Sequence, residues 1–323
     1  MKIREHFKRF ARRYVQLLAA VLYNCNWKGF AEGRIWQGKS KGLCVPGLNC
    51  YSCPSAVAAC PLGSIQTALI SSRYKIPYYL LGTVLLMGLL LGRMICGFLC
   101  PFGFLQELLY KIPSPKLKKS RVTRGLSWIK YGVLVIFVIL IPIVSFAPGF
   151  CKYICPVGTL EAGIPLTALQ ENLRKLVGGL FSWKVFLMAL IVLGCVFAYR
   201  AFCRFLCPLG AIYSFFQPMA FFGISVDETK CTHCGSCVRN CKMDIQRVCD
   251  RECIQCGECI DKCPANAIHY GALKNRRNPQ RIIIGSILFI TAIVLITWGL
   301  MHGGFKDVMS KAIRICYECM GIG

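Results

Sequence analysis

Two stretches carry the same cysteine spacing. Cys231-Thr-His-Cys234-Gly-Ser-Cys237-Val-Arg-Asn-Cys241 and Cys253-Ile-Gln-Cys256-Gly-Glu-Cys259-Ile-Asp-Lys-Cys263-Pro264 each read C-x2-C-x2-C-x3-C. Two chemistries gather four thiolates. Zinc usually takes them as two separated C-x2-C pairs, whereas a cubic iron-sulfur cluster takes three from one tight loop and a fourth from elsewhere. A triplet in both halves fits the cube and is poor zinc geometry. In the two-cluster arrangement the fourth cysteine of each run serves the other cluster. That assigns Cys231, Cys234, Cys237 and Cys263 to one [4Fe-4S] cluster and Cys253, Cys256, Cys259 and Cys241 to a second. Lys242 stands where a proline often follows the fourth cysteine, and Cys249 has no slot in the pattern. Neither removes a ligand.

A second motif, Cys-Pro-x-Gly, occurs four times, at Cys60, Cys100, Cys155 and Cys207. In the last three a partner cysteine precedes at C-x3-C, namely Cys96, Cys151 and Cys203. In the first that position is Ala56, with Cys50 and Cys53 slightly upstream. The proline is expected to stop a helix after the second thiolate, and the glycine to let the backbone turn around a cluster. Cys96, Cys100, Cys203 and Cys207 make one four-thiolate set at an inner membrane face. Cys151 and Cys155, with two or three of Cys50, Cys53 and Cys60, make another at the outer face. Cys25 and Cys44 lie near enough to compete for the outer set. Cysteine packs well in apolar helices, so one such pair is weak, but four in alternating register point to metal ligation. Cys195, alone inside an apolar run, reads as a small buried hydrophobe. Gln66, Gln106, Glu161 and Tyr213, six residues after each Cys-Pro cysteine, read as the polar face of interfacial helices rather than as a quinone pocket. Cys316 and Cys319, near the end of the chain, suit a redox dithiol, an additional cluster or a partner contact.

These residues must be positioned by a membrane protein. The 323-residue chain is 55% hydrophobic with a mean hydropathy of +0.53 and 23 cysteines, which excludes an ordinary soluble domain and a short disulfide-stapled one. Apolar runs at about 76–95, 126–147, 183–200 and 282–301 are near the ~20 residues needed to cross a bilayer, and 14–27 is a shorter fifth. Residues 24–27 offer no small-residue cleavage site after that fifth run, so it reads as a span rather than a signal peptide. The expected fold is a membrane all-α bundle of about five transmembrane helices with an internal two-fold repeat, into which an α+β ferredoxin domain with two [4Fe-4S] clusters is inserted. Residues 1–222 form the first part of the bundle, 223–273 the ferredoxin domain, and 274–323 the last helix and tail.

The formal charge of +25 concentrates at 1–13, 116–124 and 274–281, beside the apolar runs. By the positive-inside rule those tracts, and the ferredoxin domain with them, face the cytoplasm, and residues 28–75, 148–182 and 302–323 face outward. Basic residues at membrane flanks, without an aromatic-studded surface, argue against nucleic-acid binding. The four histidines, His6, His233, His269 and His302, lie outside the depths of the apolar runs, which excludes a bis-histidine haem. No glycine-rich phosphate loop is present, so nicotinamide or ATP chemistry would belong to another subunit.

With these motifs in hand, the chain resembles the NapH/NosR-type membrane polyferredoxins, which accompany periplasmic nitrate and nitrous-oxide reductases and related redox systems. The resemblance covers about 76–270 and rests on Cys96-x3-Cys100-Pro, Cys203-x3-Cys207-Pro and the eight-cysteine block. It implies an electron-transfer subunit of an oxidoreductase system in the cytoplasmic membrane, part of a complex, rather than a stand-alone catalyst. The extra cysteines at 50–60 and 151–155 go beyond that pattern. They suit a conduit from a cytoplasmic donor to an extracytoplasmic redox protein such as a flavoprotein. A subunit exchanging electrons with membrane quinone, and a copper- or zinc-handling or redox-sensing membrane protein, are the alternatives.

Overall fold

The computed structural model describes residues 2–71, 76–272, 279–313 and 320–321. Cys316 and Cys319 lie outside the described residues. Among the described residues three helices are long and apolar enough to cross a membrane, Arg121–Ser145, Gly179–Phe197 and Ile283–Met301. They expose long apolar side chains such as Val144, Phe186 and Ile290, the pattern of helices solvated by lipid. The helix Arg121–Ser145 starts at a capping box, in which the Ser120 hydroxyl accepts from Thr123 N at 3.2 Å and the Thr123 hydroxyl accepts from Ser120 N at 3.0 Å.

The expected run at 76–95 forms a shorter helix, Tyr78–Leu91, because Gly92 at φ +53° turns the chain and Arg93 follows, fully buried. It packs along Pro279–Met301, and Gly82 and Gly299 allow close approach: a Cβ on Gly82 would sit 2.8 Å from Ile296 N. The expected span at 14–27 is also different. The first helix, Lys2–Tyr23, begins inside the basic tract, and Arg12 and Gln16 are buried against Glu107 and the Gly97 carbonyl. From Arg12 to Tyr23 it rises only ~16 Å. There the Tyr23 carbonyl accepts from Val57 N at 3.0 Å, within a largely buried segment, 44–60. A second short helix, Pro61–Ser71, then packs against Ile141–Ser145 at the far end of the bundle. Irregular backbone at this depth is tolerated only where protein surrounds it.

Residues 222–272 hold the eight cysteines of the expected ferredoxin segment. Strands β1 (Phe222–Val226) and β2 (Ile268–Ala272) pair antiparallel, with Phe222 opposite Ala272 and Val226 opposite Ile268, so its two ends leave the bundle side by side. Two carboxylates dock it. Glu252 accepts from Arg93 at 2.8 Å and from Lys130, and Asp244 accepts from Arg204 at 2.7 Å and Arg124 at 3.1 Å.

Candidate iron-sulfur sites

Each Cys-Pro motif builds the start of a helix. Pro61, Pro101 and Pro208 open helices rather than closing the preceding ones, as expected where a missing N–H costs nothing. Cys100 and Cys207 are the N-caps: their Sγ atoms accept from Gly103 N and Gly210 N, each at 3.4 Å. A thiolate there meets the positive end of the helix dipole. The motif glycines serve close packing instead of a turn. A Cβ on Gly103 would lie 2.9 Å from the Arg200 guanidinium and 3.0 Å from the Cys96 carbonyl, and one on Gly63 would run into the Tyr51 ring.

The partner cysteines arrive by reversal of the chain. Gly92, Phe146 and Arg200 adopt positive φ of +53°, +52° and +52° after apolar helices, and Cys96, Cys151 and Cys203 follow on short helical turns that fold back into the protein. Cys96, Cys100, Cys203 and Cys207 are all buried and are electrostatic neighbours of one another. Arg93 adds a buried Nε–H beside Cys96 and Cys203 with no acceptor among the described residues.

At the other set, one cavity is lined by Cys50, Cys60, Cys151 and Cys155. Cys53 is buried outside that lining, with its Sγ 3.0 Å from the Ser55 hydroxyl, and Cys44 lies 4.0 Å from the Ser64 hydroxyl. Cys25 is exposed. Cys50 lines this cavity although the C-x3-C position is Ala56, and long-range contacts hold its loop. Glu161 accepts from Cys50 N at 2.9 Å, Tyr213 donates to the Pro46 carbonyl at 2.9 Å, and buried Lys41 donates to the Tyr51 carbonyl at 2.5 Å. Burial raises the Glu161 carboxyl to about 8 and lowers the Lys41 ammonium to about 8.

One helix, Gly179–Phe197, touches both sets. Lys184 donates to the Cys151 carbonyl at 2.9 Å, while Cys195, on the same helix, donates to Gln106, the residue that contacts Cys203. Lys184 and Cys195 mark levels ~16 Å apart along the helix axis, about half of a hydrocarbon core of ~30 Å. Between the sets, the Phe150 and Phe202 rings stand 6.5 Å apart, and the N–H groups of Leu48 and Asn49 face the Cys100 and Cys60 thiols.

In the ferredoxin segment a further cavity is lined by Cys241, Cys253, Cys256 and Cys259. The loop bearing Cys231, Cys234 and Cys237 meets the chain before Cys263 through Ser236, which donates to the Lys262 carbonyl at 3.2 Å, and Cys263 accepts from Ala267 N at 3.4 Å. Cys249 donates to the Ile224 carbonyl at 2.5 Å. The segment touches the bundle at Ile254, whose carbonyl lies against Gly97 so closely that a Cβ there would overlap it. Among the described residues no three His, Cys, Asp or Glu side chains converge on a point tightly enough for a single metal ion. Two thiol sets line cavities and N–H donors face thiols in the buried sets, a donor set that fits iron-sulfur clusters.

Gln66, Gln106 and Tyr213 are buried and do not form a polar outer face. Gln66 donates to Cys151 Sγ at 3.2 Å and Gln106 to Cys203 Sγ at 2.9 Å. Their shared offset from a Cys-Pro cysteine was the signal in the sequence.

Comparison with known proteins agrees with this chemistry. A 4Fe-4S binding domain matches residues 76–120, 128–164 and 181–222, and a second 4Fe-4S binding domain matches 250–269. An uncharacterized protein of Methanocaldococcus jannaschii is 31% identical over 170 residues, 50% of this chain and 64% of that protein. The methylamine utilization ferredoxin-type protein MauN of Methylobacillus flagellatus is 26% identical over 242 residues, 72% of this chain and 74% of its own length. The regulatory protein NosR of Pseudomonas aeruginosa is 28% identical over 162 residues, 48% of this chain and 21% of NosR. The chain thus spans just under two thirds of the length of its Methanocaldococcus relatives. No solved structure matches. With Cys-Pro motifs at buried helix starts, long apolar helices and two matching 4Fe-4S domains, the chain is similar to 4Fe-4S ferredoxin-type electron-transport proteins.

Proposed function

We propose that the chain conducts electrons through the membrane along four cysteine-bound [4Fe-4S] clusters. A cytoplasmic donor would meet the ferredoxin segment, and an extracytoplasmic redox protein, a flavoprotein being one candidate, would receive electrons at the other side. The observation that carries this reading is the sequence of contacts between thiol sets. The cavity of Cys241, Cys253, Cys256 and Cys259 adjoins Ile254, which abuts Gly97 beside Cys96. From there Phe202, Phe150 and the 46–50 loop lead to the cavity of Cys50, Cys60, Cys151 and Cys155. Each cluster, when bound, supplies one-electron redox chemistry. The chain's residues fix the spacing, exclude water and offer N–H donors and buried cations to the thiolates. In the ferredoxin segment the first cluster would take Cys231, Cys234, Cys237 and Cys263.

Orientation follows from charge. Lys119 donates to the Val238 carbonyl at 3.0 Å and Arg124 pairs with Asp244, so the basic tract at 116–124 lies on the ferredoxin side. The positive-inside rule then makes that side cytoplasmic. The test is iron and acid-labile sulfide analysis with EPR on anaerobically purified protein. Four cubes' worth of iron is expected, and Cys151→Ser with Cys155→Ser should remove one. Iron for only two cubes would overturn the conduit. Equal iron and sulfide would also dispose of a copper- or zinc-handling role.

One observation favours a second reading, exchange with membrane quinone. A cavity of about 340 Å³ beside Tyr51, lined also by Thr67, His302 and Asp307, has the size of a small-ligand site and opens near the Cys50 set. Reduction of the clusters by quinol that is lost when the cavity is filled by Ala68→Trp, with iron content unchanged, would favour it.

A further inference from the structure

Gln66 and Gln106 occupy equivalent places in the two halves of the cysteine repeat, and every polar atom of the equivalence is matched. Each follows its Cys-Pro cysteine by six residues, each is wholly buried, and each reaches the other member of its thiol set. Gln106 Nε2 donates to Cys203 Sγ at 2.9 Å while its Oε1 accepts from Phe202 N at 3.1 Å and Cys203 N at 3.4 Å. Gln66 Nε2 donates to Cys151 Sγ at 3.2 Å while its Oε1 accepts from Phe150 N at 2.9 Å and Cys151 N at 3.4 Å. The second N–H of each amide is used within its own helix, on the Leu62 carbonyl at 3.2 Å and the Phe102 carbonyl at 3.3 Å. The backbone contacts lock the amide orientation, so the N–H rather than the carbonyl faces sulfur. Interchanging O and N would oppose three donors to one another and leave the amide oxygen against the thiol.

We infer that Gln66 and Gln106 are positioning residues that set the reduction potentials of the two membrane clusters, each through one N–H···S bond. The inference rests on the reading that Cys50, Cys60, Cys151 and Cys155, and Cys96, Cys100, Cys203 and Cys207, hold those clusters. Reduction adds an electron to a site already rich in negative charge, and an N–H aimed at a ligating sulfur stabilises the added charge more than the starting one. Removing the donor therefore lowers the potential. Because the bonds are separate, each glutamine governs its own cluster.

The corresponding positions after Cys155 and Cys207 do a different task. Glu161 and Tyr213 hold the loop that carries Cys50. One sequence position thus supplies a sulfur hydrogen bond in two copies of the motif and a loop anchor in the other two.

The experiment uses the full-length protein, purified anaerobically, with iron and sulfide counted before an EPR-monitored redox titration. Gln106→Leu should lower one midpoint potential and Gln66→Leu a different one, with iron content and the ferredoxin signals unchanged. Gln106→Glu keeps the acceptor for Phe202 N and Cys203 N but replaces the N–H with negative charge, so it should lower the same potential at least as far as Gln106→Leu. Unchanged potentials in loaded variants would overturn the inference, as would loss of that cluster from both Gln106 variants, which would assign the residue to assembly. Absence of the two membrane clusters from the unsubstituted protein would instead overturn the reading beneath it.

Discussion

Glu252 holds two buried cations, Arg93 and Lys130, at the seam between bundle and ferredoxin segment. Breaking a buried pair by removing one partner typically costs 3–5 kcal/mol, because the charge left behind has no water to turn to. Glu252→Gln is therefore expected to destabilise the protein by about 3–5 kcal/mol, measured as a lower unfolding midpoint in detergent; an unchanged midpoint would contradict the pairing. The outer cysteines separate in the same way. Cys50→Ser is expected to lose one cluster's worth of iron, and Cys53→Ser, whose thiol faces Ser55 instead of the cavity, to keep it. The sequence leaves this choice open because Cys50 is placed by Glu161 and Tyr213, far along the chain, and spacing carries no record of such contacts. The ferredoxin cysteines are the opposite case, since three ligands to one cube come from one loop.

At the scale of elements, apolar runs locate the long helices to within a few residues, and departures occur where a polar residue had a use inside. Arg93, which a hydropathy reading absorbs into a span, ends the helix Tyr78–Leu91 and reaches Glu252 and the Cys203 carbonyl. The short run at 14–27 is part of a helix that starts earlier and is buried at Arg12 and Gln16, because its polar face packs on the inner thiol region. Proline and glycine in Cys-Pro-x-Gly were legible as helix punctuation, but their roles depend on neighbours the motif does not name. Gly97 tests the packing between elements most sharply. Gly97→Ala places a methyl on the Ile254 carbonyl, so it is expected to cost 1–3 kcal/mol, about the usual penalty for overpacking. It should also slow electron equilibration between ferredoxin and membrane clusters in rapid-freeze EPR; an unchanged rate and stability would show that the contact is not made.

For the whole molecule, helices that stop short and chains that fold back bring the Cys-Pro cysteines into the protein interior. The helix Gly179–Phe197 contacts the surroundings of the two thiol sets at levels ~16 Å apart along its axis. The motif order suggests an internal repeat, while the reversals that carry Cys151 and Cys203 inward depend on Phe146 and Arg200 in left-handed turns that no apolar run predicts. The most direct measurement is an iron-edge anomalous difference map of anaerobically prepared crystals. Four compact iron peaks are expected: two in the ferredoxin segment, one among Cys96, Cys100, Cys203 and Cys207, and one among Cys50, Cys60, Cys151 and Cys155. Iron confined to the ferredoxin segment would contradict a conduit and leave a membrane-anchored ferredoxin.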